Sequence, residues 1–117
     1  MEFFADDPAI QRYSPAEMRV ISLKAEPDPD LKRLHIALEL TPFQQRPYIE
    51  LSLKDSTGTE IASASIIEPI SWKMDLNLHF RKTVEVTEKY KLEASISYPE
   101  LGEVNRYDLL IEITNPA

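Results

Sequence analysis

From about residue 18 to the end of the chain, apolar side chains recur at every second position, and this period restricts the fold more than any other feature. Leu34, Ile36, Leu38 and Leu40 alternate with His35, Ala37, Glu39 and Thr41. Ile49, Leu51 and Leu53 alternate with Tyr48, Glu50, Ser52 and Lys54. The same holds for Met74, Leu76, Leu78 and Phe80 in 73–80, for Tyr90 to Tyr98, and for Tyr107, Leu109, Ile111 and Ile113 in 106–113. A strand points successive side chains to opposite faces, so each run has one dry face and one wet face. Such runs build antiparallel sheets with water on one side.

Two weaker runs complete a set of seven. Residues 19–24 form an opening strand whose apolar members are Val20, Ile21 and Leu23. Residues 60–67 follow the turn Asp55-Ser56-Thr57-Gly58, where Gly58 supplies the left-handed conformation of a short hairpin loop. The small residues Ala62, Ser63, Ala64 and Ser65 suit an edge strand with little core volume. Pro27, Pro29, Pro42, Pro47, Pro69, Pro99 and Pro116 fall between the runs or at their ends. A proline inside a run would remove a ladder donor, so this placement supports the strand reading independently. Seven short strands at intervals of about ten residues predict an all-β antiparallel sandwich.

The chain has 117 residues, enough for one domain, which is expected to span 18–117 behind an N-terminal arm over 1–17. In the arm, Phe3, Phe4, Ile10 and Tyr13 are interrupted by Asp6-Asp7-Pro8 and Ser14-Pro15. Ser14-Pro15-Ala16-Glu17 fits a helix start of a single turn. Two roles are open to the arm. It can lay its aromatics over a sheet edge or a sandwich end, or it can exchange with a second copy and make a dimer.

The stretch Thr87-Glu88-Lys89-Tyr90-Lys91-Leu92-Glu93-Ala94 resembles the turn into the sixth strand of immunoglobulin-like and fibronectin type III domains. There a tyrosine opens the strand and its hydroxyl returns to backbone just upstream. Tyr90 takes that place, and Leu92 stands where true immunoglobulin domains have their second cysteine. The strand spacing over 18–114 fits as well. Both cysteines are absent, and no tryptophan lies in 48–54 or at the end of the second run, where Leu40 precedes Thr41-Pro42. The likeness is therefore to an architecture, closest to fibronectin-like or bacterial immunoglobulin-like domains. It implies a binding or spacer role.

Charge and composition exclude several function classes. Thirteen Lys and Arg against twenty Asp and Glu give a net charge of −7, which opposes nucleic acid and anionic membrane surfaces. The basic pairs Lys32-Arg33 and Arg81-Lys82 read as solvated strand or turn ends. The chain has no cysteine, which removes disulfides, thiol catalysis and thiolate metal sites. The opening Met-Glu-Phe-Phe-Ala-Asp-Asp lacks the basic flank and long apolar stretch of a signal peptide, so the expected compartment is cytoplasmic.

No catalytic constellation is visible. The serines have no Gly-x-Ser-x-Gly elbow, and Gly58 and Gly102 are isolated turn residues rather than a phosphate loop. His35 and His79 lie on polar faces near Glu39, Asp75 and Asn77; paired second and fifth strands would bring them onto one sheet, where they would form a zinc set. Glu26, Asp28 and Asp30 alternate in a loop and offer oxygens of the kind calcium takes. Both sets also read as an ordinary polar face and an ordinary turn, and no cofactor or metal is expected. Trp72, beside the apolar connection Ile66-Ile67-Glu68-Pro69-Ile70, is the candidate partner-binding residue; as a lid over the sandwich end it would have no such role. Phe43 carries the same ambiguity.

The expected function is a non-enzymatic protein interaction or accessory module, acting through a sheet edge or an aromatic sandwich end. A homodimer through a sheet edge or the arm belongs to this reading. The alternative is a small-ligand or carbohydrate-binding module using Trp72 or Tyr48; a metal-dependent enzyme ranks third.

Overall fold

The computed structural model describes residues 10–81 and 88–113. Seven strands are present: β1 (Val20–Pro27), β2 (Arg33–Leu40), β3 (Tyr48–Lys54), β4 (Glu60–Ile67), β5 (Lys73–His79), β6 (Lys89–Tyr98) and β7 (Gly102–Glu112). They form two antiparallel sheets, one of three strands in the order β1-β2-β5 and one of four in the order β4-β3-β6-β7. The expected all-β sandwich is thus the observed fold.

The alternation determines which side chains the two sheets enclose. Leu34, Ile36, Leu38 and Leu40 of β2 face Ile49, Leu51 and Leu53 of β3 and Leu92, Ala94 and Ile96 of β6, all buried. Burying one such aliphatic side chain contributes about 1.5–3 kcal/mol, which sets the inner register of each strand. The hairpin between β3 and β4 closes as read from sequence. Gly58 has φ +87°, and the Asp55 carboxylate accepts from the Thr57 and Thr59 amides, each at 3.0 Å.

Strand β1 departs from its reading. It runs to Pro27, which ends the strand on a sheet edge where its missing N–H costs no ladder bond. A register shift between Val20 and Ser22 leaves Ile21 as an extra residue. Val20 and Leu23 therefore turn inward while Ile21 is exposed, not a member of the dry face. Strand β7 also begins earlier than expected, at Gly102 (φ +73°), because the turn after Tyr98 is tight.

Tyr90 is buried at the second position of β6, but the backbone upstream that a tyrosine corner would use falls in 82–87, outside the described residues. Phe3 and Phe4 also lie outside them. Ser14 to Glu17 makes the single turn expected of it, a 3₁₀ turn in which the Ser14 amide and hydroxyl both donate to Glu17 Oε1, at 3.2 and 2.8 Å.

The two faces of β3 and β4 make the packing testable. Leu51→Ala should lower the unfolding free energy in a urea titration by about 2–5 kcal/mol. Ile67→Ala, at a side chain 63% exposed, should change it by no more than about 0.5 kcal/mol.

Candidate functional site

Three regions gather the chemistry: the sandwich end around Trp72 and the outer face of each sheet. At the end, Trp72 precedes β5 and is only 3% exposed. Its ring meets Phe43 edge to face, with centroids 5.8 Å apart, and the Arg12 guanidinium lies 5.6 Å from its centroid. Residues 12 and 13 lie against this pair and its loop. The Tyr13 amide donates to Pro42 O at 2.8 Å, and the Gln44 amide donates to Tyr13 O at 2.9 Å. Trp72 is therefore covered by Phe43 and Arg12, in the place that the lid reading gives it. Phe43 is buried beside it, at 4% exposed.

Tyr98 pins the same loop from the other sheet, its hydroxyl donating to Gln45 O at 2.8 Å. Burial pushes this phenol up to about 12. The alternation marks Tyr98 as an inward residue, but the distance in sequence to Gln45 hides the bond.

On the outer face of the three-stranded sheet, β2 and β5 pair as anticipated, with His35 opposite Asn77 and Arg33 opposite His79. The two histidines share a face without standing opposite one another. His35 Nε2 lies 2.5 Å from Asp28 Oδ1, and Arg33 Nε bonds the other oxygen of the same carboxylate. The Arg33 hydrogen bond holds Asp28 below the usual aspartate range against the upward push of burial. Asp30 caps the Lys32 amide at 3.0 Å, while Glu26 sits opposite His35 on the sheet. The three carboxylates are thus placed apart: Asp28 in an ion pair, Asp30 on a turn amide and Glu26 on the outer face of β1. Among the described residues, no three His, Asp or Glu side chains group where they could hold a metal ion.

Two rows of this face, Lys24–Ala37–Asp75 and Glu26–His35–Asn77, frame a shallow depression of about 600 Å³. The small Ala37 side chain forms its floor, and polar groups form its rim. Among the described residues, no hydrogen bond or ion pair engages the side chains of Lys24, Glu26, Asp75 or Asn77.

The outer face of the four-stranded sheet is the reverse, because its charges saturate one another. Glu93 is only 6% exposed and receives Lys54 Nζ and Lys91 Nζ, each at 3.2 Å, and Arg106 Nη2 at 2.5 Å. Burial raises its pKa most strongly of any single cause, but the three cations together hold it below the ordinary value. Arg81 bonds Glu60 and Ser63 beside it, at 3.1 and 2.6 Å. Sequence reading missed Glu93, since a strand glutamate shows its partners only once the strand order is known. Tyr48 stands on this face opposite Ile67, with Ile70 exposed at 74% just beyond.

No protein-family model matches the chain, and a search of curated proteins finds no match. Solved structures do share its fold. A Ruminococcus gnavus β-glucuronidase, in complex with a C6-substituted uronic isofagomine, superposes with a TM-score of 0.61 at 16% identity over 83% of this chain and 16% of its own. Bifidobacterium dentium β-glucuronidase complexed with coumarin-3-O-glucuronide gives 0.61 at 12% identity, over 85% and 18%. Lactobacillus rhamnosus β-glucuronidase gives 0.58 at 14% identity, over 83% and 16%. The chain therefore spans less than a fifth of the length of each enzyme. Among the described residues, no helix is long and apolar enough to cross a membrane.

Two titrations test the electrostatics. A carboxyl held low binds its proton more weakly folded than unfolded, so Glu93 stabilises above its ordinary value of 4.5 and loses that contribution as pH falls through the lowered one. Glu93→Gln should cost about 1–3 kcal/mol at pH 7 and flatten the acid limb of a stability–pH curve. For Tyr98 the sign reverses. The unfolded chain ionises near 10 while the folded phenol holds its proton to about 12, so stability falls as pH rises between them. Tyr98→Phe should lack that alkaline loss in the same melts.

Proposed function

We propose that this chain is a non-catalytic, immunoglobulin-like accessory module that serves a carbohydrate-active protein by presenting its surfaces to it. The observation that carries this reading is the partial match. A sandwich like this one makes up 16–18% of several β-glucuronidases, so the same architecture works there within a much larger chain. The immunoglobulin-like assignment rests on the antiparallel pairing of β2 with β5 and of β3 with β6 across two facing sheets. Here β4 pairs with β3, not with β5, unlike the four-and-three division of constant-type immunoglobulin domains and in keeping with a fibronectin-like relative. The partner is a protein in the cytoplasm, and the net charge of −7 argues against nucleic acid and anionic membrane.

A second reading has one observation in its favour. The depression over Ala37 has on its rim four hydrogen-bonding side chains, Lys24, Glu26, Asp75 and Asn77, that no described group engages, which suits a polyhydroxylated ligand. It replaces Trp72 as the seat of any saccharide binding.

Both are tested on the purified domain. The accessory reading expects no hydrolysis of a panel of aryl glycosides that includes a β-glucuronide. It also expects a glycoside hydrolase as the dominant partner captured from the source lysate. Turnover that disappears in Asp75→Asn would overturn it. Calorimetry with D-glucuronic acid and neutral monosaccharides decides the second reading: heat lost in Asp75→Ala favours it, and none across the panel sinks it.

A further inference from the structure

Among the described residues four strands lie at sheet edges, and three of them carry the features that discourage pairing with another chain. Strand β1 has its register shift, Lys24, Glu26 and Pro27; β5 has Lys73, Asp75 and His79; β7 has Arg106, Asp108 and Glu112. Strand β4 is the exception, since from Ile61 to Ile67 it holds no charged residue and no proline.

The direction of its backbone groups follows from one bond. The Glu68 amide donates to Pro47 O at 3.0 Å, continuing the register that sets Ile67 opposite Tyr48 and Ile66 opposite Ile49. Residues on an antiparallel strand point their N–H and C=O groups alternately to either side. Ala62, Ala64 and Ile66 therefore bond β3, while Ser63, Ser65 and Ile67 direct theirs outward from the sheet. All three outward residues are exposed. Among the described residues, no backbone group bonds the outward side of Ser63, Ser65 or Ile67, and the stretch is bounded at both ends: Ile61 O already accepts from the Arg81 amide at 2.8 Å, and Pro69 has no N–H to give.

We propose that β4 pairs antiparallel with β4 of a second copy of this chain, about a two-fold axis at Ser65. The three positions left unbonded among the described residues are symmetric about Ser65, so this register pairs Ser63 with Ile67, Ser65 with itself and Ile67 with Ser63, without remainder. Three such pairs form about six hydrogen bonds and merge the two four-stranded sheets into one. The side chains permit it. Serines meet at the axis, Ala64 and the half-buried Ile66 of one copy extend the inner face of the other, and no charge faces its like within the pairing. Glu68 of one copy falls beside Ala62 and Arg81 of the other, where the signs are opposite. The inference uses only β4 and its neighbours, so it stands or falls apart from the accessory role.

The test uses the full chain over roughly 1–500 µM, a range that spans weak and moderate association. Sedimentation equilibrium should show a monomer–dimer transition. Ser65→Cys should form an intermolecular disulfide on mild oxidation, readable because the natural chain has no cysteine. Paired residues of this kind lie about 5.5 Å apart between Cα atoms, within disulfide reach. Ser63→Cys, displaced from the axis, should cross-link at least tenfold more slowly. Ser65→Pro deletes an outward N–H and should raise the dissociation constant at least tenfold with an unchanged circular dichroism spectrum. If that variant misfolds, Ser65→Lys sets two like charges across the axis and reads the same loss. A chain monomeric throughout, a dimer indifferent to both variants, or equal cross-linking at positions 63 and 65 would overturn the proposal. So would a dimer that forms only after residues 1–9 are removed, since the arm would then be the occupant of the edge.

Discussion

Exclusion of water between two sheets is the constraint from which the rest of this molecule follows. Strand β3 shows it most plainly. It lies between β4 and β6, and Ile49, Leu51 and Leu53 point from it into the core while Tyr48, Glu50, Ser52 and Lys54 point away. A slip of one residue in β3 would put three aliphatic side chains in water and three polar ones in the core. The inner register is thereby fixed, and with it the identity of every residue on the outer faces.

Those outer faces differ in how they satisfy their polar groups. On the four-stranded sheet, Glu93 gathers three cations, Arg106 reaches Glu103 and Asp108 as well, and Arg81 spans Glu60 and Ser63. Hydrogen bonds among neighbours occupy what a ligand would otherwise use. On the three-stranded sheet the internal bonding concentrates at one end, where Asp28 holds Arg33 and His35. The middle rows keep their capacity for an outside group. Any recognition by side chains favours the three-stranded face, and any recognition by backbone favours the edge of β4.

The strands could be read from sequence because period-two burial is a local signal: each run declares its own dry face. The turn at Gly58 and the short turn after Ser14 were equally legible, since they depend on a few adjacent residues. What was hidden depends on strand order. Glu93 reads as one more exposed glutamate until β3 and β7 bring Lys54 and Arg106 to it. Asp28 reads as a possible cation ligand until the turn carries Arg33 and His35 back to its carboxylate. Ile21 misled because a bulge adds one residue and breaks the count within its own strand. Trp72 reads as lid or as anchor, and the neighbours that cover it, Arg12 and Phe43, are set against it only by the folded chain.

The seam at Trp72 also bears on the order in which the molecule is completed on the ribosome. Arg12 and Tyr13 emerge early, yet the surface they cover needs Phe43 and then Trp72, about 60 residues later in the chain. At ordinary translation speeds that interval lasts about 3–12 seconds. Throughout it Arg12 and Tyr13 have no finished surface to close upon, and their cationic and aromatic groups stay open to whatever else the nascent chain meets. The segment around Arg12 and Tyr13 is thus made well before the surface it comes to cover.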